Sequence, residues 1–237
     1  MRAVAAVVFA VACGGTGSPA EDPAQARERM VREQVEARGV TDPRTLAALR
    51  KVERHLFVPP QVAGLAYADH PLPIGDGQTI SQPYIVAVMS EAIGLQGGES
   101  VLEIGTGSGY QSAVLAEMGA RVYTMEIVPA LARSARATLA RLGYRAVEAR
   151  EGDGWAGWPE KAPFDAIVVT AAPPTIPEAL KRQLRDGGRL VIPVGDDVQE
   201  LRLVTRHGQA FEEKRLLMVR FVPLVTRSPS PSPSPSP

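Results

Sequence analysis

The run Val101-Leu-Glu-Ile104 leads without a break into Gly105-Thr-Gly-Ser-Gly109 and then into the helical stretch Tyr110 to Met118. Glycines in such a strand-to-helix turn let the backbone come close to a ligand, so this segment constrains the chain to a β-turn-α unit with a binding turn. A dinucleotide fingerprint would want its third glycine one position later, where Tyr110 stands, and would use the turn to hold a pyrophosphate at the helix N-terminus.

From Ser100 onward β-rich runs alternate with helical patterns. The strands are predicted at Val101–Ile104, Arg121–Met125, Arg145–Val147, Phe164–Val169 and Gly188–Ile192. That alternation predicts an α/β fold with a doubly wound, mostly parallel, Rossmann-like sheet. Two further apolar runs without an intervening helix, Leu201 to Thr205 and Leu216 to Val222, predict an antiparallel hairpin at the sheet edge. Ahead of the sheet, Asp22-Pro23 and Asp42-Pro43 each set an N-capping acid before a proline at the first helical position, and Gly39 stops the first of these helices. Met30, Val31 and Val35 in one helix, and Leu46, Leu49 and Val52 in the other, recur at helical spacing.

The 237 residues suffice for one large domain with a buried core. Lys+Arg and Asp+Glu both total 26, and no long basic run is present, so nucleic acid is not an implied partner. Cys13 is the single cysteine and His55, His70 and His207 are scattered, so neither a disulfide framework nor a metal site is implied.

Three acids follow successive strands. Glu103 lies at the end of the first, Glu126 ends the second 21 residues after Gly105, and Asp153 follows the third in Glu151-Gly-Asp-Gly-Trp155. Each taken alone reads as a solvated strand-end carboxylate. Together, beside the turn Gly105-Thr106-Gly107, they match a donor with no phosphate, S-adenosylmethionine. Glu103 would favour its cationic charge, Glu126 would accept from both ribose hydroxyls and Asp153 from the adenine amino group. Enzymes that methylate an adenine amino group place Asp or Asn before Pro-Pro, whereas this chain reads Thr170-Ala-Ala-Pro-Pro174 after its fourth strand. A nicotinamide-dependent oxidoreductase fits the glycine spacing less well, and a catalytically silent adenosine-binding module would show loss of the acids or of Ser81.

These residues, with Leu72-Pro-Ile-Gly75, Thr79-Ile-Ser-Gln-Pro83, Gly152-Asp-Gly-Trp155, Pro163-Phe-Asp-Ala-Ile167, Thr170-Ala-Ala-Pro173 and Arg220-Phe-Val-Pro-Leu224, closely resemble the protein-L-isoaspartate O-methyltransferase family. The likeness runs from about Met30 to Val225. It implies a class I methyltransferase fold, S-adenosylmethionine as cofactor, isoaspartyl proteins and peptides as partners, and repair of isoaspartate in ageing proteins. It also implies that Ser81 is the active-site residue, that Ile80 and Gln82 flank it beside the donor, and that the donor contacts fall on Glu103, Gly105, Glu126, Asp153 and Gly154. From sequence alone Ser81, ahead of Gln-Pro, reads as the N-cap of the helix Tyr84 to Ile93.

The two ends differ from the rest. Met1-Arg2, the apolar run Ala3 to Ala12 and Cys13-Gly14-Gly15 have the layout of a signal peptide, with Cys13 where a bacterial lipoprotein would be cut and lipidated. A membrane would be a partner only through such lipidation. A donor made in the cytosol and a family that is usually cytosolic favour a cytoplasmic location instead. Ser228 to Pro237 is Ser-Pro five times over, the composition of a disordered tail. The expected layout is an extension over 1–24, a methyltransferase domain over 25–226 and a tail over 227–237.

Overall fold

The computed structural model describes residues 21–226, so the signal-like segment with Cys13 and the Ser-Pro run lie outside the described residues. Both acid-capped helices form where the sequence sets them. Asp22 caps α1 (Pro23–Arg29), and Asp42 caps α2 (Pro43–Lys51) by accepting from Thr45 N at 2.8 Å. Past α1 the helix widens into a π-helical turn, Met30–Val35, then tightens into a 3-10 turn that ends on Gly39 at φ 94°. Met30, Val31, Val35, Leu49 and Val52 are all at most 1% exposed, which makes this segment part of the main core.

A two-stranded hairpin follows, β1 (Leu72–Gly75) and β2 (Gln78–Ile80), which the strand pattern did not predict. Its turn residues Asp76 and Gly77 have φ 49° and 70°, the paired positive values of a type I′ turn, for which Asp-Gly is a favoured dipeptide. The hairpin leads through Ser81 and Gln82 into α3 (Pro83–Ile93).

The main sheet holds β3 (Ser100–Ile104), β4 (Arg121–Glu126), β5 (Glu148–Glu151), β6 (Phe164–Val169), β7 (Leu184–Val194), β8 (Gln199–His207) and β9 (Ala210–Val219). Their order across it is β5-β4-β3-β6-β7-β8-β9. Pairing is parallel from β5 to β7, and β8 and β9 finish the sheet antiparallel, as the sequence predicts. The remaining helices are α4 (Tyr110–Glu117), α5 (Pro129–Arg141) and α6 (Glu178–Arg182). Strand alternation divides the core between the two faces. Val101, Ala166 and Val168 pack with α2, α3 and α4, whereas Leu102, Ile104, Ile167 and Val169 pack with Leu180 of α6. Both faces are covered, which is why the central strands are apolar at most positions and do not alternate.

Three predicted strands are corrected. The third strand is Glu148–Glu151 and not Arg145–Val147, because its place is set by pairing with β4 from Tyr123↔Glu148 to Glu126↔Glu151. It is an edge strand with Glu148, Arg150 and Glu151 exposed, a charged edge that hides it from an apolar pattern. Strand β7 begins at Leu184, four residues before the expected Gly188, with an irregular pairing where Phe164 meets Leu184. Strand β9 ends at Val219, and Arg220 to Val222 leave the ladder.

Asp42 accepts from both the backbone N–H and the hydroxyl of Thr45, a fully buried residue, at 2.8 and 2.6 Å. Asp42→Ala should therefore lower stability by about 1–2 kcal/mol, the cost of a lost cap. An unchanged midpoint in urea denaturation would show that the cap contributes nothing.

Candidate active site

The C-terminal ends of β3 to β6 open into a cleft of about 810 Å³, its mouth included. Its walls are the turn Gly105–Ser108, the segment Glu126–Val128, Gly152 and Gly154, and Thr170 and Ala171. This is where the winding reverses, since β3 lies between β4 and β6, and such a crevice is the general ligand site of open α/β sheets.

The end of β4 shapes the glycine turn. Met125 O accepts from Gly105 N at 2.8 Å and from Thr106 N at 3.2 Å, and Glu126 Oε2 accepts from Gly107 N at 2.8 Å. On the other side the Thr170 hydroxyl donates to Gly105 O at 2.7 Å. Gly105 has φ 94°, and a Cβ there would fall 2.3 Å from the Thr170 hydroxyl oxygen, so no side chain fits. The Thr106 hydroxyl pairs with that of Thr124 at 2.6 Å.

The three acids differ in placement. Glu126 is buried on the cleft wall, each carboxylate oxygen taking one backbone N–H, from Gly107 and from Val128 at 3.0 Å. Glu103 is fully buried in the lining; the Ser112 hydroxyl donates to its Oε2, and its Oε1 has no hydrogen-bond partner among the described residues. Burial pushes its carboxyl up to about 8, opposed by the hydrogen bond from Ser112 and reinforced by the Glu126 charge. A buried carboxylate oxygen left unpaired in a cavity lining suits a cationic ligand. Asp153 is half-buried and accepts from Trp155 N at 2.9 Å at the start of a 3-10 turn; Gly152 and Gly154 on either side of it line the cleft, and the Asp153 side chain does not.

A second cavity of about 940 Å³ abuts the first. It is lined by Pro71, Thr79, Ser81, Gln82, Ile85, Thr170 and Met218–Val222. Thr79, Ser81, Thr170 and Val222 belong to both cavities and form their common wall. Ile80 faces the first cavity and Gln82 the second. The N-cap of α3 is Gln82, without a side-chain capping bond, and the Ser81 hydroxyl has no hydrogen-bond partner among the described residues. Ser81 therefore does not cap the helix, and its hydroxyl remains available at the common wall.

The segment after β9 straps the two cavities. Val222 O accepts from Ala172 N and Leu224 N donates to Ala172 O, both at 2.8 Å. The Gln199 side chain accepts from Phe221 N at 2.6 Å and donates to Phe221 O at 3.1 Å. Thr170, Val222 and Leu224 are among the lining residues that the sequence does not single out. Their only signal in the sequence is that they fall in two of the segments that carry the family resemblance.

Comparison with known proteins agrees with this geometry. The family described as protein-L-isoaspartate(D-aspartate) O-methyltransferase matches residues 25–229. A relative in Gloeobacter violaceus, named protein-L-isoaspartate O-methyltransferase, is 58% identical over 202 residues, which is 84% of this chain and 98% of its own. A solved structure of a protein-L-isoaspartate O-methyltransferase superposes with a TM-score of 0.76 at 30% identity, over 83% of this chain and 65% of that one. The fold also matches, with a TM-score of 0.72 at 24% identity over 86% of this chain and 99% of that one, a Plasmodium falciparum β-aspartate methyltransferase in complex with S-adenosyl-L-homocysteine. The chain belongs to the protein-L-isoaspartate(D-aspartate) O-methyltransferase family, S-adenosylmethionine-dependent enzymes of protein repair.

Proposed function

We propose that the first cavity holds S-adenosylmethionine, that the second holds an L-isoaspartyl peptide, and that the enzyme esterifies the α-carboxylate of that residue across their common wall. The observation that carries this reading is the place of Ser81, which lines both cavities and whose hydroxyl makes no hydrogen bond among the described residues.

The donor residues fit such a ligand. Glu126 keeps further lone pairs for the two ribose hydroxyls beyond the backbone N–H groups it accepts. Glu103 faces the cationic end. Gly105, Thr106, Gly107 and Gly154 supply backbone at close approach, and Asp153 supports the adenine end by fixing the turn that carries Gly154. When bound, S-adenosylmethionine supplies an electrophilic methyl group on a sulfonium.

The acceptor needs no general base. An α-carboxyl group has a pKa of roughly 3.3–3.7, so it is already ionised at neutral pH. The protein's work is to hold a carboxylate oxygen in line and to exclude water, and such positioning supplies up to roughly 7–11 kcal/mol of a barrier. Ser81 orients the carboxylate through its hydroxyl, with Ile80 and Gln82 fixing the segment on either side. Once esterified, the carbonyl carbon is attacked by the nitrogen of the next peptide bond. Methanol leaves, a succinimide closes, and its hydrolysis returns part of the chain to normal aspartate.

Residues 25–226 make up the methyltransferase domain in this reading, supported by the family match over nearly the same span. Among the described residues no helix is long and apolar enough to cross a membrane. We place the reaction in the cytoplasm, where the donor is made; the alternative, export or lipidation at Cys13, rests on residues outside the described range.

A peptide with one L-isoaspartyl residue should be methylated and its L-aspartyl twin left essentially inert. The extra backbone methylene moves the carboxylate, and a misplacement of about 1 Å costs roughly 10²-fold. Ser81→Ala should slow the isoaspartyl reaction while donor affinity stays unchanged. Equal rates on the twin peptides would reduce the enzyme to a generic carboxyl methyltransferase, and an unaffected Ser81→Ala would remove the hydroxyl from the mechanism.

Glu126→Ala should weaken donor binding by about ten-fold or more, since a hydrogen bond to a charged group is worth roughly 1.5–3 kcal/mol and 1.4 kcal/mol is a decade. Wild-type affinity in a calorimetric titration would strike Glu126 from the donor site.

Glu103 adds a pH dependence. With its carboxyl near about 8 it is largely protonated at neutral pH, and a bound cation favours the ionised form. Donor binding should then release a proton, and affinity should rise as pH rises toward about 8 and level off above it. The donor's own ammonium titrates equally in Glu103→Gln, so the difference between the two proteins isolates this carboxyl. Identical pH profiles would show that Glu103 does not sense the donor.

A further inference from the structure

Arg54 is 0% exposed, yet no carboxylate pairs with it among the described residues. Its guanidinium binds carbonyl oxygens only. Nη1 donates to Ala66 O, and Nη2 donates to Ser81 O at 3.0 Å and, more weakly, to His70 O at 3.4 Å. Its Cζ stands 5.8 Å from the centre of the Tyr110 ring, on the first residue of α4, whose side chain is also fully buried and lines the donor cavity. A guanidinium stays protonated even in such a place, so a full charge is held out of water with no carboxylate in contact, Asp69 acting on it only from a distance. An apolar side chain of similar length would fill the space without that cost. The forked donor geometry is what an apolar residue cannot supply.

We propose that Arg54 is a positioning residue that fixes the Ser81 backbone between the loop Ala66–His70 and helix α4, and so sets where the Ser81 hydroxyl stands on the wall between donor and acceptor. The argument rests on the methyl-transfer reading above. A hydroxyl that orients an acceptor in line is useful only if its own backbone is held to a fraction of an ångström. Ser81 lies between a short hairpin and a helix whose first residue is a proline, and among the described residues Arg54 is the one side chain that ties its carbonyl. The guanidinium thus acts through Ser81 and does not itself touch the substrate.

The test is a double-mutant cycle with Arg54→Lys and Ser81→Ala on one isoaspartyl peptide, with thermal melts and donor titrations of all four proteins. Lysine keeps the charge but cannot fork to three carbonyls. Arg54→Lys should melt cooperatively and bind donor within about three-fold of wild type, yet lose kcat on the order of 30-fold. In the Ser81→Ala background the same change should cost less than about three-fold, because the hydroxyl it positions is gone. An equal loss in both backgrounds would overturn the proposal, as would donor affinity falling in step with kcat. Loss of a cooperative melt in Arg54→Lys would assign the residue to the fold and overturn it as well. Wild-type turnover of the isoaspartyl peptide against its aspartyl twin is the control for the reaction itself, so a failure there is seen separately.

Discussion

The hydrogen bonds that the end of β4 gives to the turn after β3 organise the rest of this molecule. Met125 O holds Gly105 and Thr106, and the Glu126 carboxylate holds Gly107. Without them a loop of three glycines has little reason to take one shape, because glycine loses more conformational freedom on ordering than any other residue. Strand pairing thereby becomes site geometry: the parallel register from Ser100↔Arg121 to Ile104↔Met125 delivers the acceptors opposite the turn they shape. Thr170, at the end of β6, closes the turn from the opposite side. The crevice exists because neighbours on both sides of β3 continue the chain in opposite directions.

Two fully buried ionisable residues, Glu103 and Arg54, stand near this crevice with opposite logic. Glu103 lies in the floor with one oxygen unpartnered, and its burial pushes it toward the neutral acid. A cation nearby would reverse that preference, so its environment fits an empty and a loaded site differently. Arg54 instead spends its donors on carbonyls, which rigidify the acceptor side whether or not a ligand is present. One carboxyl is tuned by what binds; the guanidinium holds what must not move.

How far the sequence could be read follows from what each residue signals locally. Asp22, Asp42 and Gly39 are legible because a cap or a left-handed stop is a property of one or two residues, and all three act as read. Strands β3, β4 and β6 are legible because both faces are buried and most of their residues are apolar. Strand β5 is not: Glu148, Arg150 and Glu151 are ordinary surface residues made into a strand by the partner beside them. The hairpin β1-β2 was legible in its Asp76-Gly77 turn, but its strands are too short for alternation to register.

The site divides in the same way. Glu103, Glu126 and the glycine turn announce themselves because each stands at the end of a recognisable strand, and all of them line the cleft. Asp153 follows a strand too, yet its carboxylate is occupied with the turn at Trp155 while its glycine neighbours reach the wall, a distinction that needs the backbone path. The acceptor side depends still more on long-range contacts. Ser81, Thr170 and Val222 are separated by about 140 positions in the chain and become neighbours only through the strap that Ala172 and Gln199 hold in place. A wall made from three distant segments can separate donor from acceptor only when all three are tied to the sheet. The backbone bonds from Ala172 and the side-chain bonds from Gln199 are therefore as much a part of the wall as the side chains that line it.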